Sequence, residues 1–551
     1  MAKIGLYLCE CGPNIAQAID LDEITEAIKK DNKVAGIERH KLLCSDDGKK
    51  FLAESIKRNA FERVVIAACS PKQHEGTFME VMLEAGLNAY MFQLVNIREQ
   101  CAWVTPDKNA ATLKALTVIR AAINRVKHHA ALEKKEIECN PNVIVIGNGI
   151  AAIEAALKTA HNDRKVFLIV EGKRIGDTYK NRRLLLSSMQ SAEEFLRSKV
   201  DELKSNKQIE VFENSKINEI LGFFGNFIAN IDTEKNKNVE LAAGSVIFAL
   251  EAESFVPKAL TNLGYGKFDK VYTAAEFETI DVDETEPKSV AIIHCVGRKK
   301  LGYCSKFCCM NSMKIARYIK ERSHESKVVQ FYRNLCLPDK QYDKFYKDTK
   351  EKGVEFVRFQ DIEVAGEESR LAIKYKEENG KESKLLVDIV ILSTGLVPAS
   401  KTEEFSQMFN IPLDEYGFMK EEHNILNPVA TITEGVFIIG GVRGPGDIDD
   451  SLEQAGAAAG KILSSLVPGR LQPLETKISR VSEVICIGCG VCVNVCAYGA
   501  VKLDESKHIS VVNEVLCRGC GNCASACPSG AAQHRHFTTK QINQEMIEIL
   551  K

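Results

Sequence analysis

Val143-Ile-Val-Ile-Gly147-Asn-Gly149-Ile-Ala-Ala152 is an apolar strand that runs through a glycine turn into an alanine-rich helix. Gly147 allows the tight turn, Gly149 lets the backbone approach a pyrophosphate, and Ala152 permits close helix packing. A second apolar strand ends at Glu171, 24 residues after Gly147, where a carboxylate takes ribose hydroxyls. Together these features predict a dinucleotide site in a doubly wound α/β domain.

A second stretch, further down the chain, favours FAD as that dinucleotide. The apolar strand from 436 ends in Gly440-Gly441, and Gly446-Asp447-Ile448 leads into an Ala/Gly-rich helix at 455–462. This resembles the second FAD signature of thioredoxin-reductase-like flavoproteins, and Gly395 resembles a residue of their returning strand. The alternative is a buried strand with a packing helix.

The segment at about 286–398 takes the place of a nucleotide-binding insertion. Its strand, Val290 to His294, ends in Cys295-Val-Gly297 and carries no G-x-G-x-x-G. The sequence therefore indicates that a pyridine nucleotide is not the direct hydride donor.

Four cysteines stand where that nucleotide loop would be. They form a C-x8-C-x3-C-C pattern, namely Cys295, Cys304, Cys308 and Cys309. Four thiols within so short a span predict a [4Fe-4S] cluster. A catalytic dithiol needs only two cysteines, typically as C-x-x-C, and structural thiols are the remaining alternative.

The C-terminal region repeats a C-x2-C-x2-C-x3-C run after 31 residues. The two runs are Cys486, Cys489, Cys492 and Cys496, and Cys517, Cys520, Cys523 and Cys527. In two-cluster ferredoxins the fourth cysteine ligates the other cluster, so we expect Cys527 to join the first three and Cys496 to join the second three. Zinc and disulfides fit this crowded spacing poorly.

Composition sets the wider frame. The chain has 551 residues, 45% of them hydrophobic and 27% charged, with a net charge of −2 and 19 cysteines. This excludes disorder and a general nucleic-acid binder, and no apolar run approaches the length of a membrane span. An odd cysteine count without a signal peptide predicts a reduced, cytoplasmic protein.

We expect three domains. Residues 1–138 form a small N-terminal α/β domain, 139–472 the FAD domain of thioredoxin-reductase type with the cysteine subdomain, and 473–551 a ferredoxin domain with two [4Fe-4S] clusters. Cys9, Cys11, Cys44 and Cys69 in the first domain are too widely spaced for a standard ligand run. We expect them to be non-ligands or partner-docking residues, with a fourth cluster as the alternative.

Motifs along nearly the whole chain resemble the A-type flavin subunits of heterodisulfide reductases. They include Cys9-Glu-Cys11-Gly, Cys69-Ser-Pro, Tyr303-Cys-Ser with Cys308-Cys-Met, and His536-Phe-Thr. The resemblance implies a third cluster beside FAD and a lysine, here Lys314, that approaches the flavin. An exposed surface lysine is the alternative for Lys314.

The resemblance implies an oxidoreductase subunit in which FAD exchanges electrons with [4Fe-4S] clusters, by bifurcation or confurcation. Its partners would be other subunits of a heterodisulfide-reductase, hydrogenase or dehydrogenase complex and ferredoxin-type carriers, in a hetero-oligomer that can hold a second copy of this chain. Alternatives are a non-bifurcating conduit of a quinone-interacting or class II benzoyl-CoA reductase complex, an NAD(P)H:ferredoxin oxidoreductase, and a non-enzymatic iron–sulfur scaffold.

Overall fold

A computed structural model describes residues 2–171, 174–177, 182–186, 188–280 and 287–551. The chain folds into two compact units. One combines Met1–Ile137 with Pro473–Lys551, and the other is Glu138–Gln472. Two short strands, Glu136–Glu138 and Leu471–Pro473, lie where the chain passes from one unit to the other.

The N-terminal part of the first unit is a parallel sheet covered by helices. Its four strands are, in spatial order, Gly36–His40, Ile4–Cys9, Arg63–Ala68 and Phe92–Asn96. The inner two are buried almost throughout, as expected for parallel strands with helices on both faces. The helices are Leu21–Asp31, Asp46–Asn59, Pro71–Glu84 and Lys108–Val126, with a 3₁₀ turn at Gly12–Asn14 and a π turn at Arg98–Ala102.

The C-terminal part of the same unit has the small elements of a ferredoxin. Two antiparallel pairs join Ser479–Val481 to Ala532–His534 and Val501–Asp504 to Ile509–Val512. The helices are Val491–Asn494, Asn522–Ala526 and Thr539–Ile549. The last of these is tied to the N-terminal part, because Arg125 donates a 2.7 Å hydrogen bond to Glu545 and Asn124 donates one of equal length to Glu548.

The second unit contains two seven-stranded sheets. The first follows the spatial order Val239–Ala243, Asn226–Asp232, Ile209–Phe223, Val166–Glu171, Val143–Ile146, Ser245–Phe248 and Val436–Ile438. The helices Ile150–Thr159, Ala192–Ser205 and Ile448–Ser465 accompany it, with a 3₁₀ turn at Gly440–Val442. Val143–Ile146 is buried and pairs in parallel with Val166–Glu171 and Ser245–Phe248, and the glycine turn follows at its carboxyl end.

The second sheet carries the cysteine subdomain. Its spatial order is Val271–Thr273, Ile389–Thr394, Ser289–Val296, Lys327–Tyr332, Glu355–Glu367, Arg370–Glu377 and Glu382–Val387. Its helices and turns are Thr261–Leu263 (3₁₀), Ala274–Phe277, Arg298–Leu301, Cys308–Arg322, Lys340–Glu351 and Thr402–Met408. A separate pair joins Glu253–Ser254 to Leu396–Val397. In the described part of the chain, no helix is long and apolar enough to cross a membrane.

Candidate flavin and iron–sulfur sites

The first glycine turn is as tight as its sequence predicts. A Cβ at Gly147 would lie 2.2 Å from the backbone oxygen of Ala249 and 3.2 Å from the Cβ of Ala152. A Cβ at Gly149, which caps the helix Ile150–Thr159, would lie 1.9 Å from Glu251 Oε1. Neither position accepts a larger residue without a shift, as the close backbone approach of a dinucleotide turn requires.

Glu171 lies at the carboxyl end of the neighbouring strand. Its side chain is 8% exposed, and its Oε2 lies 2.7 Å from the ammonium group of Lys401. Among the described residues, neither carboxylate oxygen has a partner with hydrogen-bond geometry. A buried carboxylate at this strand end, balanced by one ammonium group, keeps lone pairs that can accept from the ribose hydroxyls of a dinucleotide.

The second glycine pair packs directly onto the first loop. A Cβ at Gly441 would lie 1.9 Å from the backbone nitrogen of Ala252, and one at Gly440 would lie 3.0 Å from the Cβ of Ala151. Gly440 also has φ +67°, a backbone conformation that favours glycine. The two predicted FAD signatures are therefore neighbours in space.

Gly446, Asp447 and Ile448 form the start of the long helix Ile448–Ser465. Asp447 is the N-cap and shares a capping box with Asp450. The Tyr342 hydroxyl donates a hydrogen bond to the Asp447 carboxylate; burial first, and then this bond, raise the pKa of Tyr342. The helix start is thus fixed by the helix Lys340–Glu351 of the cysteine subdomain.

The four cysteines of the subdomain line one small cavity together with a fifth, Cys336. The Cys308 thiol donates to the Thr394 backbone oxygen at 3.2 Å, and the Cys336 backbone N–H donates to Cys309 Sγ at 3.4 Å. Gly395 lies in the wall of this thiol cavity, where a Cβ would be 3.0 Å from Ser305 Oγ. The predicted flavin contact of Gly395 therefore stays a prediction, while its observed place is beside the thiols.

A strand irregularity turns Cys295 toward its partners. The pairing of Ser289–Val296 with Ile389–Thr394 shifts register between Ile293 and Val296, and Cys295 has φ +59°. Such a bulge re-aims a side chain at a functional site. The sequence reasoning missed Cys336, because it follows Cys309 by 27 residues and belongs to no local run.

Burial and one neighbouring cation act in opposite directions on the thiols of the cavity. Burial first, and then the neighbouring thiols, raise the pKa of Cys308 and of Cys309 to about 12. A hydrogen bond to Cys295 raises the pKa of Arg298, and the Cys304 thiolate acts in the same direction. Arg298 is thus the cation beside a set of thiols that suits the irons of a cluster.

Lys314 lies on the same helix as Cys308 and Cys309 and is buried, so the surface alternative is wrong. Its ammonium group donates to Glu278 Oε1 at 2.8 Å and to the Leu184 backbone oxygen at 3.1 Å. Burial lowers the pKa of Lys314, whereas Glu278 raises it. A buried, paired lysine on the helix that carries two of the cavity's cysteines has the character of a functional group.

The two ferredoxin runs have matching local geometry. Gly488, Gly490 and Gly499 have positive φ, and so do their repeats Gly519, Gly521 and Gly530. Ser510 N–H donates to Cys486 Sγ at 3.5 Å, and the Cys492 thiol donates to Ser510 Oγ at 3.1 Å. Amides and hydroxyls aimed at sulfurs are typical of iron–sulfur sites.

The surroundings of Cys523 support the prediction that the fourth cysteine of each run ligates the cluster of the other run. Burial raises the pKa of Cys523, and the thiols of Cys517, Cys496 and Cys520 raise it further. Cys496, from the first run, packs against the buried clusters that contain Cys517 and Cys523 of the second run. The Ala500 and Ala532 amides donate to Cys496 and Cys527, at 3.2 Å and 3.4 Å respectively.

The fold also gathers the N-terminal cysteines at the carboxyl edge of their sheet. Burial first, and also the thiols of Cys11 and Cys44, raise the pKa of Cys9 to about 11. Burial and Cys44 also raise the pKa of Cys69. Arg98 donates to Cys11 Sγ at 3.5 Å. Cysteines that are widely spaced in the sequence therefore lie close together in this part of the fold.

In the described part of the chain, no three His, Cys, Asp or Glu side chains are arranged to hold one metal ion. A single zinc ion needs its thiolates at about 2.3 Å, whereas a cluster spaces its ligands at the corners of a cube.

Comparison with known proteins decides the family. The family model for pyridine nucleotide-disulphide oxidoreductases matches residues 141–461, and that for 4Fe-4S dicluster domains matches 485–531. The A-type iron-sulfur subunit, form 2, of the CoB–CoM heterodisulfide reductase of Methanopyrus kandleri is 30% identical, with 91% of each chain covered. This chain belongs to the family of A-type heterodisulfide reductase subunits.

Other members of that family show similar agreement. The A-type subunit of the H2:CoB-CoM heterodisulfide,ferredoxin reductase of Methanothermobacter marburgensis is 30% identical, with 91% of each chain covered. Its counterpart in the ferredoxin:CoB-CoM heterodisulfide reductase of Methanosarcina mazei is 31% identical over 92% of this chain and 76% of its own. The predicted fold class, FAD and [4Fe-4S] clusters are confirmed, and the chain is an FAD/iron–sulfur oxidoreductase.

Proposed function

We propose that this chain is the electron-transfer flavoprotein subunit of a multi-subunit heterodisulfide-reductase-type complex, in which a third cluster exchanges electrons with FAD. The third cluster would be held by Cys295, Cys304, Cys308 and Cys309. Bound FAD supplies chemistry in one- or two-electron steps, whereas each cluster passes one electron at a time.

The observation that carries this proposal is the connection between the thiol cavity and the second FAD signature. Tyr342 hydrogen-bonds Asp447 at the start of the helix Ile448–Ser465. Asp450 belongs to the same capping box. Burial raises the pKa of Asp450, whereas Lys306, which lines the thiol cavity, acts to lower it. These contacts between the cysteine subdomain and the helix start support electron transfer between a third cluster and FAD.

Lys314 adds a charge to this arrangement. It follows Cys309 by five residues on one helix, and Glu278 and Leu184 hold its ammonium group. A cation that faces a bound flavin stabilises its anionic reduced form. We therefore assign Lys314 the role of tuning the flavin, and Glu278 that of positioning Lys314.

The relatives indicate what the wider complex does. Their names couple the CoB–CoM heterodisulfide to H2 or ferredoxin. Outside 486–527 this chain has no C-x-x-C pair. We therefore propose that partner subunits cleave the disulfide. This chain, in the cytoplasm, would divide an electron pair between two acceptors or combine electrons from two donors.

An EPR-monitored redox titration of the anaerobically purified protein tests this function. If the flavin bifurcates, its second one-electron potential is higher than its first, and three cluster signals titrate beside it. If the two flavin potentials are in the ordinary order, the chain is a non-bifurcating conduit. Bleaching of the flavin by NADH would contradict the assignment and favour a pyridine-nucleotide oxidoreductase.

A further inference from the structure

We propose that Cys336 is an alternative ligand of the third cluster and exchanges with Cys304 at one of its irons. This inference rests on the proposed function, because it requires a cluster that the subdomain cysteines hold. Five cysteine side chains line the thiol cavity, whereas a [4Fe-4S] cluster takes four. One thiol is therefore in excess, and its neighbours decide which ligand it can replace.

The backbone around Cys336 holds this residue against the predicted ligands. The Cys336 N–H donates to Cys309 Sγ at 3.4 Å. Leu335 and Leu337, on either side of Cys336, pack against a buried apolar group that includes Met310. The two leucines therefore keep the cysteine between them in the wall of the cavity.

Cys304 is the predicted ligand whose thiol lies beside that of Cys336. Burial first, and then the Cys304 thiol, raise the pKa of Cys336, and a hydrogen bond between the two side chains acts in the same direction. By contrast, the thiols that raise the pKa of Cys308 are those of Cys309, Cys304 and Cys295. Cys336 is therefore placed to replace Cys304 rather than Cys308.

The backbone of Cys304 also distinguishes it from the other predicted ligands. Cys295 lies in a strand, and Cys308 and Cys309 form the first turn of a helix. Cys304 and Cys336 both lie in loops. A side chain on a loop can turn away from an iron at a lower cost than one on a packed helix or strand.

The loop that carries Cys304 does not depend on its thiol. The Tyr303 hydroxyl donates to the Leu396 backbone oxygen at 2.6 Å, and the Leu396 N–H donates to Ser305 Oγ at 2.9 Å. Loss of the Cys304 thiol should therefore leave the loop in place. The iron that Cys304 would have bound then faces Cys336.

The exchange is balanced without an oxidant or a reductant. The bond between one iron and Cys304 Sγ breaks, and a bond between that iron and Cys336 Sγ forms. The proton of the Cys336 thiol passes to Cys304. The charge of the ligand set stays the same, because one thiolate replaces another.

Iron and FAD counts of anaerobically purified full-length variants test the proposal. We expect C304A to keep the iron content of the wild type and C304A/C336S to lose about four irons. C308A should also lose about four irons, because the thiols beside Cys308 are cluster ligands themselves. The matched control is C304A/C139A, whose second cysteine lies beside Gly225. It should contain as much iron as C304A.

EPR of the reduced protein provides a second measurement. The third-cluster signal of C304A should have g values different from those of the wild type, because another cysteine then ligates one iron. Unchanged FAD and about eight irons in the ferredoxin runs show that each variant is folded.

Two results would overturn the exchange and leave the proposed function intact. One is a loss of iron in C304A equal to that in C308A, and the other is a C304A/C336S chain that keeps the iron of C304A. If C308A and the wild type contain equal iron, this site holds no cluster, and both the exchange and the proposed function are wrong.

Discussion

Lys314 and Glu278 form an ion pair inside the protein, with 2.8 Å between Nζ and Oε1 and side chains that are 4% and 8% exposed. Such a pair is costly to break, because the remaining charge stays buried without a partner. We expect K314M to lower the free energy of unfolding of its unit by about 3 kcal/mol and to lower the flavin potential. Denaturant unfolding followed by flavin release measures the first effect, and a redox titration measures the second.

The surface pair Lys347–Asp343 provides the control for that prediction. Its N–O distance is 2.6 Å, but both side chains are more than half exposed. K347M should therefore change stability by at most about 1 kcal/mol. Equal stability of K314M and K347M would show that the buried pair contributes nothing.

Two glycines of one loop separate flavin binding from general folding. G441A places a Cβ 1.9 Å from the backbone nitrogen of Ala252, whereas a Cβ at Gly444 has no heavy atom within 4 Å. We expect G441A to lose most of its FAD and G444A to keep it, because only the first displaces the loop that carries Glu251 and Ala252. The flavin absorbance per chain measures this, and full FAD in G441A would count against the second signature.

A histidine pair makes the first unit sensitive to acid. The rings of His129 and His536 are 4.4 Å apart, and burial lowers the pKa of His129 to about 3, with His536 acting in the same direction. Between pH 6.5 and 3 the unfolded chain therefore binds a proton that the native chain does not. The free energy of unfolding should therefore decrease by about 1.4 kcal/mol for each unit by which the pH is lowered within this window.

The Tm of H129Q between pH 7.5 and 5.5 tests this. The variant should show a shallower decline than the wild type, and H508N, at an exposed position of the same unit, should follow the wild type. An unchanged slope in H129Q would remove His129 as the cause.

The sequence predicted those features that depend on local pattern. The strand–turn–helix at 143–152 was recognisable because each glycine there is required by close contacts within a local turn. The ferredoxin runs were recognisable because their cysteines are close in sequence. Cys336 was not recognisable, and Cys9, Cys11, Cys44 and Cys69 could be named only as an alternative cluster site, since distant segments bring these cysteines together. The burial of Lys314 likewise depends on Glu278, which a different element supplies.

Arg298 should set the potential of the third cluster. Its hydrogen bond to Cys295 stabilises negative charge on the sulfur, and therefore the more negative, reduced cluster. We expect R298Q to lower the cluster's reduction potential by about 50 mV, equivalent to roughly 1 kcal/mol for one electron. EPR-monitored titration measures it. The control is K299Q, which removes a positive charge from the residue next to Arg298 and should lower the cluster potential less. Equal shifts of the potential in R298Q and K299Q would mean that only net charge matters.

The most direct test of the account counts iron and FAD per chain after anaerobic purification of the wild type and C304A/C308A. We predict that the double variant loses about four irons and keeps its FAD, because both substitutions lie in the third-cluster site alone. C139A and C336S should keep the wild-type iron content, since four thiolates complete one cluster. If C304A/C308A contains as much iron as the wild type, the cavity beside the flavin holds no cluster, and the proposed electron path is wrong.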